Sequence, residues 1–185
     1  MNIVKKIAKK MFHHSSPDKE AMDYAYAHGF RSGSNFHYNS GFPIDANLPW
    51  LISVGDNVTL ATGVKLLAHD ASTLHVGVHT KIGIVQIGNN VFIGANSIVL
   101  CNTRIGDNVI VGAGSVVTHD IPSNSVYAGN PAKFVCSFEE FAAKHQANHD
   151  SYPRFPQHKC NEWSSASPEE WDNMRTQLQN TYGYY

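Results

Sequence analysis

The stretch IGNNVFIGANSIVL at residues 87–100, followed by IGDNVIVGAGSVVTHDIP at residues 105–122, repeats one short motif. An aliphatic residue recurs at every sixth position, followed by a small residue and, at the fourth place, by asparagine or glycine. A period of six matches neither an α-helix, with about 3.6 residues a turn, nor a strand that alternates with period two. It is typical of a very short strand followed by a corner, stacked many times.

The same register extends over most of the chain. We expect the first residue of each repeat to point inward and to stack on its equivalent one coil away, at about 4.8 Å. These first residues are Phe36, Phe42, Leu48, Val54, Leu60, Leu66, Ile87, Ile93, Val99, Ile105, Val111 and Val117. Smaller inward residues are expected four places on, at Val58, Val64, Ser97, Thr103, Val109 and Ser115. Since no single repeat can bury its own face, the series predicts roughly four three-sided coils of a parallel β solenoid.

Helical segments are predicted on both sides of the repeat, which divides the chain into three parts. Residues 1–32 form an N-terminal helical segment, residues 33–135 the repeat domain with an insertion at 70–86, and residues 136–185 a C-terminal helical extension. Ser16 and Pro17 predict a helix start by capping, and Gly29 its end after about His28.

The C-terminal part contains two capping signals. Ser137 with Glu140 predicts a helix to about Gln146, and Ser167 with Pro168 a helix to about Asn180, with residues 147–166 as a loop. We expect these helices to cover the open edge of the last coil.

Composition excludes several classes of protein. Lys and Arg number 14 and Asp and Glu 15, so no basic field favours nucleic acid. The three cysteines, Cys101, Cys136 and Cys160, form neither a disulfide framework nor a zinc clip, which suits the cytoplasm. No apolar run has the roughly 20 residues of a membrane span. The basic amphipathic segment 1–12 is expected to dock on protein, with a weak membrane contact as the alternative.

The repeat is interrupted once, between Leu66 and Ile87, and residues 70–86 show no regular pattern. An insertion of this kind inside a compact fold is usually functional. His69 stands at its start, in the fourth, corner place of a repeat, where side chains point outward. An imidazole there is poorly placed for packing and well placed to act as a general base.

The segment Val85–Val135, which combines the two repeats above with YAGNPAKFV at 127–135, resembles the hexapeptide-repeat acyltransferases, in particular the sugar and polysaccharide O-acetyltransferases. The resemblance implies a left-handed parallel β-helix, a homotrimer with active sites between subunits, and acetyl-CoA as co-substrate without a metal. It also implies that His69 is the catalytic histidine. The run His69-Asp70-Ala71-Ser72 is similar to members that acetylate surface-polysaccharide sugars.

The same resemblance implies a set of donor-binding residues. The pantetheine arm would pass Ala95 and Ala113, although alanine at a corner could equally be packing alone. Thr118 and His119 match a Thr-Lys pair near the nucleotide, with histidine in place of lysine. Lys133 would lie near the nucleotide phosphates. Phe92 stands where many members have tryptophan and would line the thioester pocket or simply cover the outer wall.

The acceptor side is less specific. Asp70 would hydrogen-bond the acceptor hydroxyl, orient the imidazole, or be a solvated loop carboxylate. Residues 33–50 are rich in asparagine, aromatic residues and proline, which suits a sugar-binding edge or a capping coil. Pro49 falls near the acidic acceptor contact of galactoside-type members, so galactoside or maltose specificity is disfavoured.

The sequence therefore predicts acetyl transfer from acetyl-CoA to a hydroxyl of a sugar or surface-glycan precursor. One alternative is N-acetylation of an amino sugar or acetylation of an antibiotic. Others are a non-catalytic solenoid and zinc-dependent hydration like that of the γ-class carbonic anhydrases, with His69, His75 and His79 as ligands. That class takes one histidine from an earlier coil, and no repeat corner before His69 contains one.

Overall fold

The computed structural model describes residues 17–155 and 167–184. They form two compact units, one ending at Phe138 and the other beginning at Glu139. The predicted basic helix at 1–12 and the N-cap at Ser16 lie outside the described residues. The division of the chain at residues 32 and 135 into three parts remains a prediction.

The first unit begins with helix α1 (Pro17–Ala27), which ends before Gly29 at a φ of 97°, as the capping signals predict. Short strands follow: β1 (Arg31–Ser32), β2 (His37–Tyr38), β3 (Ile52–Val54), β4 (Thr59–Leu60), β5 (Lys65–Leu66), β6 (His69–Asp70), β7 (Lys81–Ile82), β8 (Val85–Ile87), β9 (Val91–Ile93), β10 (Ile98–Val99), β11 (Thr103–Ile105), β12 (Val109–Val111), β13 (Val116–Val117), β14 (Ser125–Ala128) and β15 (Lys133–Ser137). Two 3-10 helices lie between strands, at Pro49–Leu51 and Ala71–Val76.

Three sheets form the sides of the coil, and the chain passes through them in turn. Side A has the strand order β1-β3-β8-β11, side B β2-β4-β9-β12-β14-β15, and side C β5-β10-β13. Neighbouring strands are parallel except for β15, which pairs antiparallel with β14 and covers its edge. Single bridges join Ile44 to Leu66 and Ile105 to Ile121. The predicted solenoid of parallel strands is therefore confirmed.

The repeat positions form the core. The first residues of the repeats from Val54 to Val117 are buried, and so are all six of the smaller inward residues that lie four places further on. The prediction is wrong for the first coil, where Phe36, Phe42 and Leu48 are only partly buried and Ile44 rather than Phe42 lies beneath Leu66. These bulky side chains close the end of the core, where no earlier coil requires the six-residue register.

One corner contains a ladder of asparagines that joins successive coils. Each has a positive φ between 53° and 61°, a region that asparagine tolerates better than most residues. Their side-chain amides hydrogen-bond one to the next at 2.8–3.1 Å; the members are Asn35, Asn57, Asn90, Asn108 and Asn124. Successive members are 22, 33, 18 and 16 residues apart. A coil of three six-residue sides has the spacing of 18, so the other values show that three coils differ in length.

All these length differences lie where side C leads into side A, which we call the C–A corner. In the first coil this corner runs from Ile44 to Ile52 and contains a 3-10 helix, and in the second it runs from Leu66 to Val85 and contains the insertion. It is short between Val99 and Thr103. It is shortest between Val117 and Ile121, just before the last side. One corner of the solenoid is thus free to vary while the sides keep their register.

The insertion itself is ordered, so the expectation of a stretch without regular structure is wrong. Strands β6 and β7 pair antiparallel, with His69 opposite Ile82 and Asp70 opposite Lys81. The 3-10 helix between them ends at Gly77, which has a φ of 77°. Two-residue strands are too short to produce a periodic sequence pattern, which is why this hairpin is not visible in the sequence.

Helix α2 (Phe138–Ser151) begins at the last residue of the first unit, and the rest of it belongs to the second unit together with α3 (Pro168–Gln177). Helix α3 begins after Ser167 as predicted, and Ser167 forms a capping box with Glu170. Helix α2 continues past the predicted end at about Gln146 because no helix breaker precedes Pro153. The predicted loop at 147–166 is therefore wrong at its start, and residues 156–166 lie outside the description. None of the described helices is long and apolar enough to cross a membrane.

Candidate active site

His69 lies at the C–A corner of the second coil and forms a pair with a buried carboxylate. Its Nδ1 hydrogen-bonds Oδ2 of Asp45, which lies at the same corner one coil earlier. The His69 side chain is 31% exposed, whereas that of Asp45 is 2% exposed. The carboxylate is therefore shielded from water, and the imidazole can still be reached from outside.

Asp45 is held in place from several directions. Its Oδ2 accepts a hydrogen bond from the backbone N–H of Ala68 at 3.0 Å, and its Oδ1 accepts one from Asn47 at 3.1 Å. Its own N–H donates to the carbonyl of Leu66 at 3.0 Å, in the coil above. These hydrogen bonds satisfy the buried carboxylate and fix its position. It has little freedom to turn away from the imidazole.

This arrangement determines what the imidazole can do. A carboxylate can only accept, so the Nδ1 of His69 carries the proton in the neutral ring, and Nε2 has the free lone pair. Nε2 has no hydrogen-bond partner among residues 17–155 and 167–184. If the ring gains a proton at Nε2, the resulting imidazolium is stabilised by Asp45. The pair therefore has the chemistry of a general base.

Asp70 is engaged within the hairpin of the insertion. Its Oδ1 accepts the N–H of Ser72 at 3.0 Å and caps the 3-10 helix of the insertion, and its Oδ2 lies 3.2 Å from Nζ of Lys81. The hydrogen bonds from Ser72, followed by that from Lys81, lower the pKa of Asp70 to about 2. Both oxygens are thus engaged within the hairpin, and the carboxylate that orients the imidazole is Asp45. Contact of Asp70 with an acceptor remains a prediction.

A small cavity of about 110 Å³ opens beside the histidine. Leu67, Leu100 and Cys101 form its apolar wall, and Asp70 and Lys81 its polar wall. Cys101 is a free thiol that is almost completely buried. Sequence reasoning missed Leu100 and Cys101 because they come from the corner of the next coil and carry no motif.

The predicted donor-binding residues do not gather around His69. Ala95 and Ala113 occupy stacked corners that lead from side B into side C, where the N–H of Gly114 donates to the carbonyl of Ala95 at 2.8 Å. Phe92 points outward from β9 on side B and is 45% exposed. Lys133 is exposed at the start of β15, also on side B.

Thr118 and His119 follow β13 at the C–A corner, two coils along from His69. The hydroxyl of Thr118 and Nδ1 of His119 are hydrogen-bonded at 2.7 Å. Side C therefore separates the histidine's corner from the corner with Ala95 and Ala113. Within one chain the two sets of residues lie at opposite ends of a sheet side.

Asp45 is the functional residue that sequence reasoning missed. It lies within the asparagine-rich stretch 33–50, which was interpreted only as an acceptor edge or a capping coil. One signal was available: counting in sixes from Phe42 and from Leu66 gives Asp45 and His69 the same corner place. The count places both side chains at one corner but does not give their contact, because the structure pairs Ile44 rather than Phe42 with Leu66.

No group of three His, Cys, Asp or Glu side chains lies close enough to hold a metal ion within the described ranges. His75 and His79 are both exposed in the insertion and do not join His69 in such a group.

The six-residue repeats of the solenoid relate this domain to known proteins. Residues 84–119 match the family model of the bacterial transferase hexapeptide, six repeats. This segment is therefore a hexapeptide-repeat region of the kind that bacterial transferases contain.

Known proteins resemble the chain beyond this segment. It is 48% identical over 109 residues to Protein CapG of Staphylococcus aureus, covering 55% of this chain and 62% of that protein. It is 36% identical over 118 residues to galactoside O-acetyltransferase of Escherichia coli, covering 57% and 56% respectively. Both matches leave more than a third of the relative uncovered.

Among solved structures, the maltose O-acetyltransferase of Clostridium difficile 630 superimposes with a TM-score of 0.54 at 28% identity. The match covers 71% of this chain and 83% of that one. The chain is thus similar in fold to a protein named as an acetyltransferase, and similar in sequence to another over more than half of its own length.

Proposed function

We propose that the protein is an acetyl-CoA-dependent O-acetyltransferase that acts on a hydroxyl of a sugar or surface-glycan precursor. The observation that carries the proposal is the pair of a partly exposed His69 with a buried Asp45, beside a small cavity at an expanded corner of the solenoid. The similarity to proteins named as galactoside and maltose O-acetyltransferases supports the reaction class.

The reaction follows from the chemistry of the pair. Nε2 of His69 removes the proton of the acceptor hydroxyl while the oxygen attacks the thioester carbonyl carbon. The tetrahedral intermediate then collapses, the C–S bond breaks, and the imidazolium returns its proton to the leaving sulfur. Asp45 keeps the proton of the neutral ring on Nδ1 and stabilises the imidazolium between the two steps. The thioester is already activated, so the protein contributes mainly orientation and proton transfer.

The proposed site lies between copies of the chain. His69 and the pair Ala95 and Ala113 lie at opposite ends of side C, so one chain cannot present both to one thioester. A left-handed β-helix assembled as a cyclic homotrimer would bring the C–A corner of one copy against the other corner of the next. Exposed apolar side chains on the insertion, Leu74, Val76, Val78 and Ile82, support a protein contact there. Cys101 and Cys136, which are free thiols far apart in sequence, support a cytoplasmic setting.

Acceptor identity is proposed only as a class. The first-coil corner around Asn47 and the hairpin of the insertion flank His69 and would form the walls of an acceptor pocket. The Asp70 carboxylate already caps the 3-10 helix and pairs with Lys81, so its main role is to hold the hairpin in place. A contact with the acceptor would be a second role of the same carboxylate.

The test is a screen for release of the coenzyme A thiol with sugars, nucleotide sugars, amino sugars and antibiotics as acceptors. Wild type should release the thiol with at least one hydroxyl-bearing sugar. His69→Ala should lower kcat by at least about a hundred-fold, because loss of a general base has this effect. Binding of coenzyme A and the assembly size should remain unchanged.

His37→Ala is the matched control, since His37 is an exposed histidine on β2 of the same solenoid. It should retain wild-type turnover. Near-full activity of His69→Ala would contradict the mechanism. If the thiol is released with an amine or an antibiotic but with none of the sugars, the acceptor is not a sugar hydroxyl and this part of the proposal is wrong.

A further inference from the structure

The cavity of about 110 Å³ beside His69 arises from a mismatch between two successive corners. In the second coil the C–A corner leaves the stack as the hairpin that begins at His69. In the third coil the same corner is short and runs directly from Val99 to Thr103. Because the short corner cannot cover the long one, space remains where the hairpin departs. The cavity therefore belongs to this pair of coils and not to the repeat in general.

The apolar wall of the cavity comes from both of these coils. The N–H of Leu67 donates to the carbonyl of Val99 at 2.9 Å, which places Leu67 and Leu100 at the same point of consecutive coils. Both leucines are partly buried, whereas Cys101 is only 9% exposed. Cys101 is thus the most buried of the residues that line the cavity.

The polar side of the cavity has few groups available to a hydrogen-bonding ligand. Oδ2 of Asp70 lies 3.2 Å from Nζ of Lys81, and Oδ1 of Asp70 accepts the N–H of Ser72 at 3.0 Å. A sugar carries a hydroxyl on most of its carbons, and each hydroxyl that is removed from water needs a partner. The lining therefore favours an apolar group over a sugar ring.

The size of the cavity also limits its occupant. Pockets that enclose a whole small molecule have volumes of about 300–1,000 Å³, so a cavity of about 110 Å³ holds only part of a ligand. Because His69 belongs to the lining, that part must lie next to the reacting atoms. In the proposed reaction the acceptor hydroxyl and the thioester carbonyl with its acyl chain both come within reach of Nε2. Of these two groups, the acyl chain is the one that is small and apolar.

We infer that this cavity holds the acyl chain of the donor and that the side chain of Cys101 limits the length of the chain that the protein transfers. This inference rests on the proposed function and specifies which acyl groups it accepts. The acceptor would approach from the other side of His69, along the first-coil corner around Asn47. An acyl chain too long for the cavity would hold its carbonyl carbon away from the attacking oxygen, so selection by length should be measured in kcat/KM.

The experiment compares acetyl-CoA, propionyl-CoA and butyryl-CoA as donors to a sugar that wild type accepts. The measured quantity is kcat/KM for each longer donor divided by kcat/KM for acetyl-CoA. In wild type this ratio should fall by about ten-fold for each added methylene group, the discrimination that a closely fitting apolar wall provides. Cys101→Ala should raise the ratio for propionyl-CoA by about five-fold, because loss of the sulfur lengthens the cavity.

The Cys101→Val variant tests the opposite change. Its larger side chain shortens the cavity and should lower the ratio for propionyl-CoA below that of wild type. Thermal unfolding of both variants measures whether the fold is kept, and Cys101→Ala alone decides the matter if the larger side chain prevents folding.

Cys136→Ala is the matched control, because Cys136 is a free thiol on β15 that does not line the cavity. It should keep the wild-type ratios. Unchanged ratios in the Cys101 variants, or equal use of the three donors by wild type, would overturn the inference. So would an altered choice among sugars with unaltered acyl ratios, since the acceptor would then occupy the cavity. If wild type releases the thiol from none of the three donors, the proposed function itself is wrong and the inference falls with it.

Discussion

At the scale of single residues, the candidate chemistry depends on one hydrogen bond between two side chains of consecutive coils. Asp45 is buried and held by the N–H groups of Ala68 and Asn47, so it acts as a fixed acceptor for Nδ1 of His69. The exposed nitrogen of the ring is then the basic one. Neither residue could perform this role alone, because a free imidazole populates both tautomers and both orientations.

The Asp45→Asn variant tests this dependence. An asparagine can present its amide N–H to Nδ1, which favours the wrong tautomer, so kcat should fall by about a hundred-fold while KM for acetyl-CoA changes little. The variant that carries both Asp45→Asn and His69→Ala should have a kcat within about three-fold of that of His69→Ala alone, since the two residues act as a unit. Steady-state kinetics of the four proteins gives both values. Additive losses would show that Asp45 acts independently of the histidine.

At the scale of elements, the coil is joined along one edge by repeated corner residues rather than by long strands. Most of its strands have two or three residues, and each asparagine of the ladder provides a left-handed corner and an amide hydrogen bond to the next coil. The sequence motif therefore specifies corners as strictly as it specifies the apolar core.

The corner at Asn90 separates these two contributions. Asn90→Ala loses the amide bonds to Asn57 and Asn108 and must hold alanine at a φ of 55°, whereas Asn90→Gly loses the bonds without the backbone strain. The free energy of unfolding of Asn90→Ala should be about 1–2 kcal/mol lower than that of Asn90→Gly, because a residue with a Cβ is strained in the left-handed backbone conformation. Chemical denaturation of both variants measures the difference. Equal stability would mean that the corner relaxes away from the left-handed conformation.

At the scale of the whole molecule, the residues expected to bind the donor lie at both ends of side C. His69 and His119 lie at one end, and Ala95 and Ala113 at the other. The proposed site therefore needs two copies of the chain, each contributing a different corner.

Mixed assemblies test this requirement. His69→Ala removes the base, and Ala113→Trp should block the donor groove, so each variant alone should be inactive. When the two are refolded together in equal amounts, about one site in four should receive both intact corners, if a cyclic trimer forms at random. Recovery of about a quarter of wild-type turnover is the expected result, with each variant refolded alone as the control. Absence of any recovery would show that one chain supplies the whole site.

Much of this architecture could be predicted from the sequence because it is local. A period of six with aliphatic first residues specifies short inward-facing sides, and asparagine at the fourth place specifies left-handed corners, so the solenoid and its buried positions from Val54 onward follow directly. The departure of the chain from this period at Leu66 also singled out His69. Each of these features depends on neighbours in sequence.

Only the tertiary structure decided the partners of that histidine. Asp45 is 24 residues away in sequence, in a coil where Ile44 rather than Phe42 pairs with Leu66, so the six-residue count alone does not give their contact. The hairpin of the insertion and the capping role of Asp70 likewise arise where the C–A corner changes length. Stacking of coils brings distant residues together, and the length of each corner, which no local propensity determines, decides which ones meet.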